Sequence, residues 1–382
     1  MRKIGCVLLV LVLVVSLLPL AASAVDLNVA GKSALLMDAA TGRILYEKNA
    51  HEKLAPASVT KVMTMLLIME AIDSGKIGWD DSVTASETAA AKGGSQIYLK
   101  AGETMSVTDM LKSIAVSSAN DAACAMAEHI AGSESAFVEL MNQRAKELGM
   151  ADTHFVNCTG LDDDPEAKEH LTSAYDIAIM SRQLLTNHPD IKKFTTIWMD
   201  TIRNGTFGLS NTNKLVRFYS GCTGLKTGFT SGAGYCLSAS ACRDGLELIA
   251  VVMGAESSQE RFGACKQMLD YGFANFALAE PEMRADNRVP VVLGTTDHVV
   301  VVPTHVPKLL IDKAQRGEVK TEITLDPEVT APVSQGQRLG TLTIKAGEQV
   351  LAQVPMVAQT AVPRLSWWQI FVQVLKRITM AA

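Results

Sequence analysis

Residues 224–255 read GLKTGFTSGAGYCLSASACRDGLELIAVVMGA, and this stretch decides the fold. It contains a Gly-rich turn, then a segment in which apolar and small polar residues alternate, then a β-branched run. Such segments, separated by turn residues, are typical of hairpins. The stretch therefore predicts three adjacent antiparallel strands.

The segments on either side extend this prediction. SALLMDAATGRILYEKNA, residues 33–50, has two short apolar segments joined at Ala40 to Gly42, which predicts a hairpin. Apolar residues at three- and four-residue steps predict helices over 58–72, 107–116, 120–130, 134–148, 173–186 and 259–277. A helical middle flanked by strands implies one α+β domain, in which both ends of the chain contribute to a single sheet.

Helical patterning nearly vanishes beyond Pro281. VPVVLG, HVVVVP, VKTEITLD and GTLTIKAGEQVLAQVPMVA are short β-rich segments separated by Gly, Pro and Asp. They predict a small β-sandwich over residues 279–361. Because this region shows no constellation of catalytic residues, we interpret it as a spacer or docking module.

The tail RLSWWQIFVQVLKRITMAA predicts an amphipathic helix over residues 362–382. At about 100° per residue its polar side chains share one arc, and its apolar side chains take the remainder. Paired tryptophans and basic groups favour a helix that lies on the membrane surface. The alternative is a helix packed on its own domain or on a dimer partner. The polar arc consists of Ser366, Gln369, Gln373, Lys376 and Arg377.

The first 24 residues have the form of a signal peptide. Arg2 and Lys3 precede an apolar run, and Ala22-Ser23-Ala24 resembles a signal-peptidase site. An uncleaved membrane anchor is the alternative, and both interpretations export residues 25–382. Export permits disulfides among the six remaining cysteines, although no C-x-x-C occurs, and buried free thiols are the favoured interpretation.

Composition excludes several classes of function. The chain is 48% hydrophobic with a formal net charge of −5, which is globular and not basic enough to indicate nucleic acid as a partner. There is no H-E-x-x-H sequence for a zinc peptidase and no G-x-S-x-G sequence for a Ser-His-Asp hydrolase. We therefore expect no metal and no cofactor.

PASVTKVMT, residues 56–64, carries the first candidate chemistry. Ser58 and Lys61 are three residues apart on one helix face, so the amine lies within reach of the hydroxyl. A serine becomes a nucleophile when a base takes its proton, and a lysine is such a base once burial lowers its pKa. The alternative is that Ser58 only caps the helix.

Two further segments add polar groups that fit one cleft. SSAND, residues 117–121, places Ser118 and Asn120 where one helix gives way to the next. LKTGFT, residues 225–230, places Lys226 and Thr227 before Gly228, a glycine that would let a substrate backbone approach a strand. Each segment alone has an ordinary alternative: a helix cap for the first, and a solvated strand residue for Lys226.

Together and in this order, the three segments resemble the motifs of penicillin-recognising serine enzymes. The longer forms LAPASVTKVMT, KSIAVSSANDAACAMAEHIAG, THFVNCTGLD, GCTGLKTGFTSGAGYCLSASA and VVMGA resemble the D-alanyl-D-alanine carboxypeptidases of low molecular mass. The resemblance covers residues 30–277. It implies a β-lactamase/transpeptidase-like catalytic domain over residues 25–278, and this family commonly has a signal peptide, a β-rich second domain and a C-terminal amphipathic anchor.

The resemblance also implies the role of each residue. Ser58 attacks the carbonyl between the two terminal D-alanines of a peptidoglycan stem peptide. Lys61 accepts its proton and is kept neutral by repulsion from Lys226. Ser118 relays the proton to the departing D-alanine, and Asn120 holds both the substrate amide and Lys61.

Lys226 and Thr227 would face the terminal carboxylate of the substrate. The oxyanion hole would consist of the backbone N–H groups of Ser58 and Phe229. Arg261 matches an arginine that the family places near the carboxylate, and the alternative is an arginine on a helix surface. Phe229 stands where some relatives have His or Thr, which puts substrate preference in doubt. β-Lactams should acylate Ser58.

Two other functions stay open. A β-lactamase would need a carboxylate that holds a water, and LDDDPEAKEH offers candidates, although a solvated loop is the other interpretation. A non-catalytic binder of cell-wall peptides would lack reactive residues, and all are present here. We expect His170 to fix the start of the helix that follows it. The acidic candidates are Asp162, Asp163, Asp164, Glu166 and Glu169.

The sequence leaves the biological setting open. The residues of the motifs resemble those in enzymes of spore-forming bacteria, but a growth-phase role and a sporulation role would need the same chemistry. Endopeptidase activity on cross-links, the disulfide state and the oligomeric state are also open.

Overall fold

The computed structural model describes residues 27–163, 165–279 and 287–380. The expected signal peptide, Asp164 and the segment around Pro281 lie outside the described residues. The helices are α1 (Lys61–Asp73), α2 (Glu87–Ala90), α3 (Val107–Ser117), α4 (Asn120–Ala131), α5 (Glu134–Glu147), α6 (Ala174–Asn187), α7 (Lys192–Thr195), α8 (Leu215–Phe218), α9 (Ser258–Asn275) and α10 (Trp367–Met380).

The strands fall into a first group that precedes α9 and a second group that follows it. The first group is β1 (Ser33–Asp38), β2 (Ile44–Lys48), β3 (Ser82–Thr84), β4 (Thr104–Ser106), β5 (Met199–Ile202), β6 (Phe207–Ser210), β7 (Cys222–Thr230), β8 (Gly234–Arg243) and β9 (Leu246–Ala255). The second is β10 (Phe276–Ala279), β11 (Arg288–Val292), β12 (His298–Pro303), β13 (Leu309–Asp312), β14 (Val319–Leu325), β15 (Val329–Thr330), β16 (Arg338–Ala346) and β17 (Gln349–Ala358).

One antiparallel sheet in the order β2-β1-β9-β8-β7 organises the first domain. The three strands predicted for residues 224–255 are confirmed as β7, β8 and β9, and the N-terminal hairpin is confirmed by the antiparallel pairing of β1 with β2. Strand β1 also pairs with β9 along its whole length. Both ends of the domain therefore meet in a single sheet. This order leaves β7 at an edge of the sheet.

The sheet separates two hydrophobic cores. Strand β1 is buried on both faces: Leu35 and Met37 join the larger core, while Ala34 and Leu36 join the smaller one. The larger core contains the apolar side chains of α1, α3, α4, α5 and α6, and the smaller contains those of α9. Alternation along a strand explains the division, because successive side chains point to opposite faces of a sheet.

The predicted helices are confirmed, with ends that shift by a few residues. The one substantive difference lies at the first helix, which is preceded by a 3-10 turn over Ala57–Thr60. Ser58 lies inside this turn, and Thr60 is the residue at the N-cap of α1. The interpretation of Ser58 as a helix cap is therefore wrong.

The second domain is all-β, as predicted. Six strands in the order β14-β16-β17-β12-β11-β15 surround a separate core that includes Leu342, Ile344 and Val354. The ladder between β10 and β13 lies at the junction of the two domains, since β10 directly follows α9. The cysteines within the described ranges are free thiols, and Cys124, Cys158, Cys236 and Cys265 are buried.

The C-terminal helix α10 exposes its apolar side chains. Trp367 is 76% exposed and Trp368 is 65% exposed, and the Trp367 ring stacks on that of Phe371. Ser366 donates to Gln369 and accepts its backbone N–H, which caps the helix. The side chains of Gln373, Lys376 and Arg377 are not among those described. No described helix is both long and apolar enough to cross a membrane.

We expect Gly272→Ala to destabilise the first domain. A Cβ at Gly272 would lie 2.4 Å from Leu248 Cδ1 and 3.1 Å from Leu36 Cδ2, because α9 packs here directly on the sheet. Overpacking of this kind typically costs about 1–3 kcal/mol in the free energy of unfolding. Thermal unfolding followed by circular dichroism would measure it.

Gly263→Ala is the matched control, because it lies in the same helix and a Cβ there would contact nothing within 4 Å. It should leave the melting temperature unchanged or raise it, since alanine favours a helix over glycine. Equal melting temperatures for the two variants would contradict the packing argument.

Candidate active site

Three separate parts of the chain carry the candidate residues: the first approaches the edge strand β7 directly, and the second is connected to it through Thr212. They are the 3-10 turn with Ser58, the junction between α3 and α4, and residues 226–228 of β7. Gly228 brings the first and third together, since a Cβ there would lie 3.1 Å from Ser58 N and 2.6 Å from Pro56 O. Only a glycine permits so close an approach of the 3-10 turn. The approach of a substrate backbone to Gly228 stays a prediction.

Ser58 and Lys61 form the centre of the site. Lys61 Nζ lies 3.0 Å from Ser58 Oγ and donates to Thr159 O at 2.8 Å. Lys61 is completely buried, and this burial lowers its pKa to about 7, against the opposing charges of Cys158 and Asp121. A base with a pKa near neutrality is largely available to accept a proton at physiological pH.

Ser118 ends helix α3 in the left-handed region, with φ of 62° and ψ of 29°. A serine rarely adopts this conformation, and such strain is concentrated at functional sites. Ser118 is buried, with 3% of the residue exposed. The backbone thus places Ser118 between helices α3 and α4.

Asn120 begins helix α4 and is held by the loop at residues 93–95. Its Nδ2 donates to Gly93 O at 2.7 Å, and its backbone N–H donates to Ser95 O at 2.7 Å. Among the described residues, Asn120 Oδ1 has no hydrogen-bond partner although it is buried. The contacts of Lys61 Nζ are with Ser58 and Thr159, so the expected contact between Asn120 and Lys61 is not present.

Lys226 is also buried, and its Nζ donates to Thr227 O at 2.8 Å. Burial lowers the pKa of Lys226 well below its ordinary value, and the charges of Lys61 and Arg261 lower it further. For Lys61, burial is the main cause of the shift. The expectation that repulsion from Lys226 keeps Lys61 neutral is therefore corrected: burial lowers the pKa of both lysines.

Thr227 and Phe229 flank Gly228 on the strand. The Thr227 hydroxyl donates to Thr212 Oγ1 at 2.7 Å, and Thr212 N–H in turn donates to Val116 O, two residues before Ser118. The Phe229 side chain is 53% exposed and lies against the ring of Tyr235, with centroids 4.3 Å apart. Phe229 therefore presents an aromatic surface at the rim of the site.

Arg261 lies behind the strand and is 8% exposed, so the alternative of a helix-surface arginine is wrong. Its Nη1 donates to Gly228 O at 2.8 Å and to Cys236 O at 3.3 Å. The guanidinium also lies over the ring of Tyr235 at 5.2 Å. Arg261 thus fixes the backbone at Gly228 and adds a positive charge there.

Several contacts in the site were not anticipated from the sequence. Thr159 contributes only its carbonyl, and Thr212 lies in SNTNK, which has no motif signal. The prediction for His170 is wrong: Ser173 caps helix α6, whereas His170 Nε2 lies 2.7 Å from Thr60 Oγ1. No pattern in the sequence links two such distant positions.

The acidic loop has the character of a solvated segment. Its described carboxylates are exposed, as expected for a charged loop, and only Asp164 lies outside the described residues. A Cβ at Gly232 would lie 3.3 Å from Asp162 Oδ2, which places Asp162 near the turn between β7 and β8. The exposed members are Asp162, Asp163, Glu166 and Glu169.

Comparisons with known proteins agree with this geometry. The D-alanyl-D-alanine carboxypeptidase family matches residues 20–257, and the family described as penicillin-binding protein 5, C-terminal domain, matches residues 282–364. The chain is 45% identical to D-alanyl-D-alanine carboxypeptidase DacF of Bacillus subtilis, over 91% of this chain and 88% of that protein.

Solved structures show the same likeness. Penicillin binding protein 5 from Haemophilus influenzae is 31% identical with a TM-score of 0.73, over 88% of this chain and 98% of that one. Penicillin-Binding Protein D2 from Listeria monocytogenes, in an ampicillin-bound form, is 32% identical with a TM-score of 0.59, over 65% of this chain and 99% of that one. The resemblance drawn from the motifs is confirmed: the chain belongs to the D-alanyl-D-alanine carboxypeptidase family and is a serine-type D-Ala-D-Ala carboxypeptidase.

Proposed function

We propose that Ser58 is the nucleophile that removes the terminal D-alanine from peptidoglycan stem pentapeptides. The observation that carries this proposal is the 3.0 Å separation of Ser58 Oγ from the amine of Lys61, a buried lysine with a pKa of about 7. Lys61 takes the proton of Ser58 while Oγ bonds to the carbonyl carbon between the two D-alanines. The C–N bond then breaks, and water later hydrolyses the acyl-enzyme.

Ser118 relays the proton to the nitrogen of the departing D-alanine, and its strained backbone supports this role. Asn120 holds the amide of the substrate. Its buried Oδ1 has no partner among the described residues, and leaving such an acceptor unpaired typically costs about 1–3 kcal/mol. A substrate N–H would remove that cost.

The edge strand β7 binds the end of the substrate. Thr227 and Lys226 face its carboxylate, and Arg261 adds positive charge from behind Gly228. Gly228 allows the peptide to lie against the strand, with the oxyanion between the backbone N–H groups of Ser58 and Phe229. Each such donor is typically worth about 10² to 10³ in rate.

β-Lactams acylate Ser58 in the same way, because they mimic the terminal dipeptide. The Listeria relative has been solved with ampicillin and with cefotaxime bound, which supports this proposal. The chemistry needs no metal and no cofactor, since the buried lysine supplies the base. Nucleic acid has no part in it.

The protein acts at the extracytoplasmic face of the cell membrane. Residues 1–24 export it as a signal peptide, residues 25–278 form the catalytic domain and residues 279–361 the β-domain. Residues 362–382 attach it peripherally. The exposed Trp367, Trp368 and Phe371 support this attachment, because tryptophans favour the membrane interface.

The purified protein without residues 1–24 should release D-alanine from diacetyl-Lys-D-Ala-D-Ala. Ser58→Ala should release none, because it removes the hydroxyl that the amine of Lys61 contacts. An assay of free D-alanine, together with the release of bound penicillin, measures both steps. Slow penicillin release is expected. Rapid penicillin turnover without D-alanine would point to a β-lactamase instead, and neither reaction would point to a peptide binder.

The rate of acylation by penicillin should rise with pH around the pKa of Lys61. Lys61 accepts a proton only when neutral, so the rate should fall about tenfold per unit of pH below about 7 and level off above it. Stopped-flow acylation at constant ionic strength would give this profile. Lys61→Arg should be inactive at every pH, because a guanidinium stays charged. A flat profile from about pH 5 to pH 9 would exclude Lys61 as the base.

Deletion of residues 363–382 should release the protein from vesicles. Trp367, Trp368 and Phe371 of the tail are exposed, so its loss should abolish binding to vesicles of anionic lipid. Turnover of the soluble peptide should stay unchanged, because the deleted residues are remote from Ser58 in the chain. Loss of turnover on deletion would contradict the role assigned to the tail.

A further inference from the structure

The residue before the nucleophile has an unfavourable backbone. Ala57 has a φ of 48°, in the left-handed region that residues with a Cβ rarely adopt. It is 2% exposed, so water does not hydrogen-bond its carbonyl to hold this conformation. Strained backbone next to a reactive group persists only where its surroundings enforce it. The neighbours of the Ala57 carbonyl therefore matter for the direction of Ser58.

A series of hydrogen-bonded, buried side chains ends on the carbonyl of Ala57. The Thr60 hydroxyl donates to Ala57 O at 2.8 Å, and His170 Nε2 lies 2.7 Å from Thr60 Oγ1. The other ring nitrogen, Nδ1, accepts the N–H of Val156 at 3.0 Å. Because Nδ1 is an acceptor, a neutral His170 carries its proton on Nε2 and donates it to Thr60. The single hydroxyl proton of Thr60 then points to Ala57.

Thr60 and His170 are both buried away from water. Thr60 is fully buried and His170 is 3% exposed, with the ring of Phe155 at its edge. Burial, with smaller contributions from His154 and Lys61, lowers the pKa of His170 to about 4. His170 is therefore neutral at physiological pH, which is the state that this direction of donation requires.

The same histidine holds the loop that binds Lys61. Val156 donates to His170, and three residues later Thr159 O accepts from Lys61 Nζ. The next residue, Gly160, lies directly on Ala57: a Cβ there would be 1.9 Å from Ala57 O. His170 thus connects, through Thr60 and through this loop, the backbone before Ser58 to the partner of Lys61.

We propose that Thr60 and His170 are positioning residues, which hold the left-handed Ala57 and so direct Ser58 Oγ during acylation. The inference rests on the proposed function of Ser58. Neither side chain touches the substrate; both act through the carbonyl of Ala57. Because a displacement of about 1 Å can cost about 10²-fold in rate, loss of the bond to Ala57 should slow acylation strongly.

Thr60→Val tests the bond with little change of shape. The rate constant for acylation by penicillin should fall about 10- to 100-fold, and Thr60→Ser, which keeps the hydroxyl, should restore it to within about threefold. For the peptide substrate, the loss should lie in kcat more than in KM. Acylation by Thr60→Val at the wild-type rate would overturn the proposal, whatever its melting temperature.

Thr108→Val is the matched control for removal of a hydroxyl. Thr108 donates to Trp79 O at 2.9 Å at the start of helix α3, outside the site. We expect it to lower the melting temperature and to leave the acylation rate unchanged. Equal losses of acylation in Thr60→Val and Thr108→Val would mean a purely structural role for Thr60.

Two variants of His170 test the proposed positioning role even if Thr60→Val does not fold. In His170→Gln the side-chain amide nitrogen reaches the position of Nε2 and can still donate to Thr60. In His170→Asn the shorter side chain reaches only the position of Nδ1, so the donor to Thr60 is lost. His170→Gln should therefore acylate at least about fivefold faster than His170→Asn. Equal rates would overturn the proposal. If the wild type itself releases no D-alanine and binds no penicillin, the proposed function fails instead.

Discussion

The burial of Lys61 beside Ser58 is the constraint on which the rest of the structure depends. Withdrawing an ammonium from water costs several kcal/mol. Burial therefore favours the neutral form of Lys61 and lowers its pKa to about 7. This places a base next to the hydroxyl of Ser58, and the buried amine destabilises helix α1, which begins at Lys61. The surrounding apolar side chains of α1, among them Val62, Leu66 and Met69, offset that cost in the larger core.

The sheet supplies the second half of the site because β7 is an edge strand. No described strand pairs with it on one side, and Arg261 fixes its backbone through Gly228 O. Lys226 on this strand is also buried, and burial, with the charges of Lys61 and Arg261, lowers its pKa. Both lysines are therefore destabilised in their charged forms.

The two domains have separate hydrophobic cores. The proposed catalytic residues lie in the first domain, where the two cores on either side of the sheet hold helix α1 and strand β7 in place. The β-domain has a core of its own, in which Val289, Leu342 and Met356 are buried. A separate core lets this domain keep its shape independently of the catalytic chemistry, in keeping with a spacer between the enzyme and the tail.

Periodicity and turn residues are local signals, and they were enough to predict the α+β class, the long helices, the N-terminal hairpin and the three motifs. The expectation of an all-helical middle was wrong, because the short ladders β3–β4 and β5–β6 lie within it. The sequence also placed Ser58 within reach of Lys61, since three residues make almost one helical turn, although Ser58 lies in the 3-10 turn that precedes α1. Only the tertiary structure decided that Asn120 binds Gly93, that burial lowers the pKa of Lys61, and that His170 supports Ala57. These depend on desolvation and on contacts between residues such as Thr60 and His170, 110 positions apart, which no local pattern encodes.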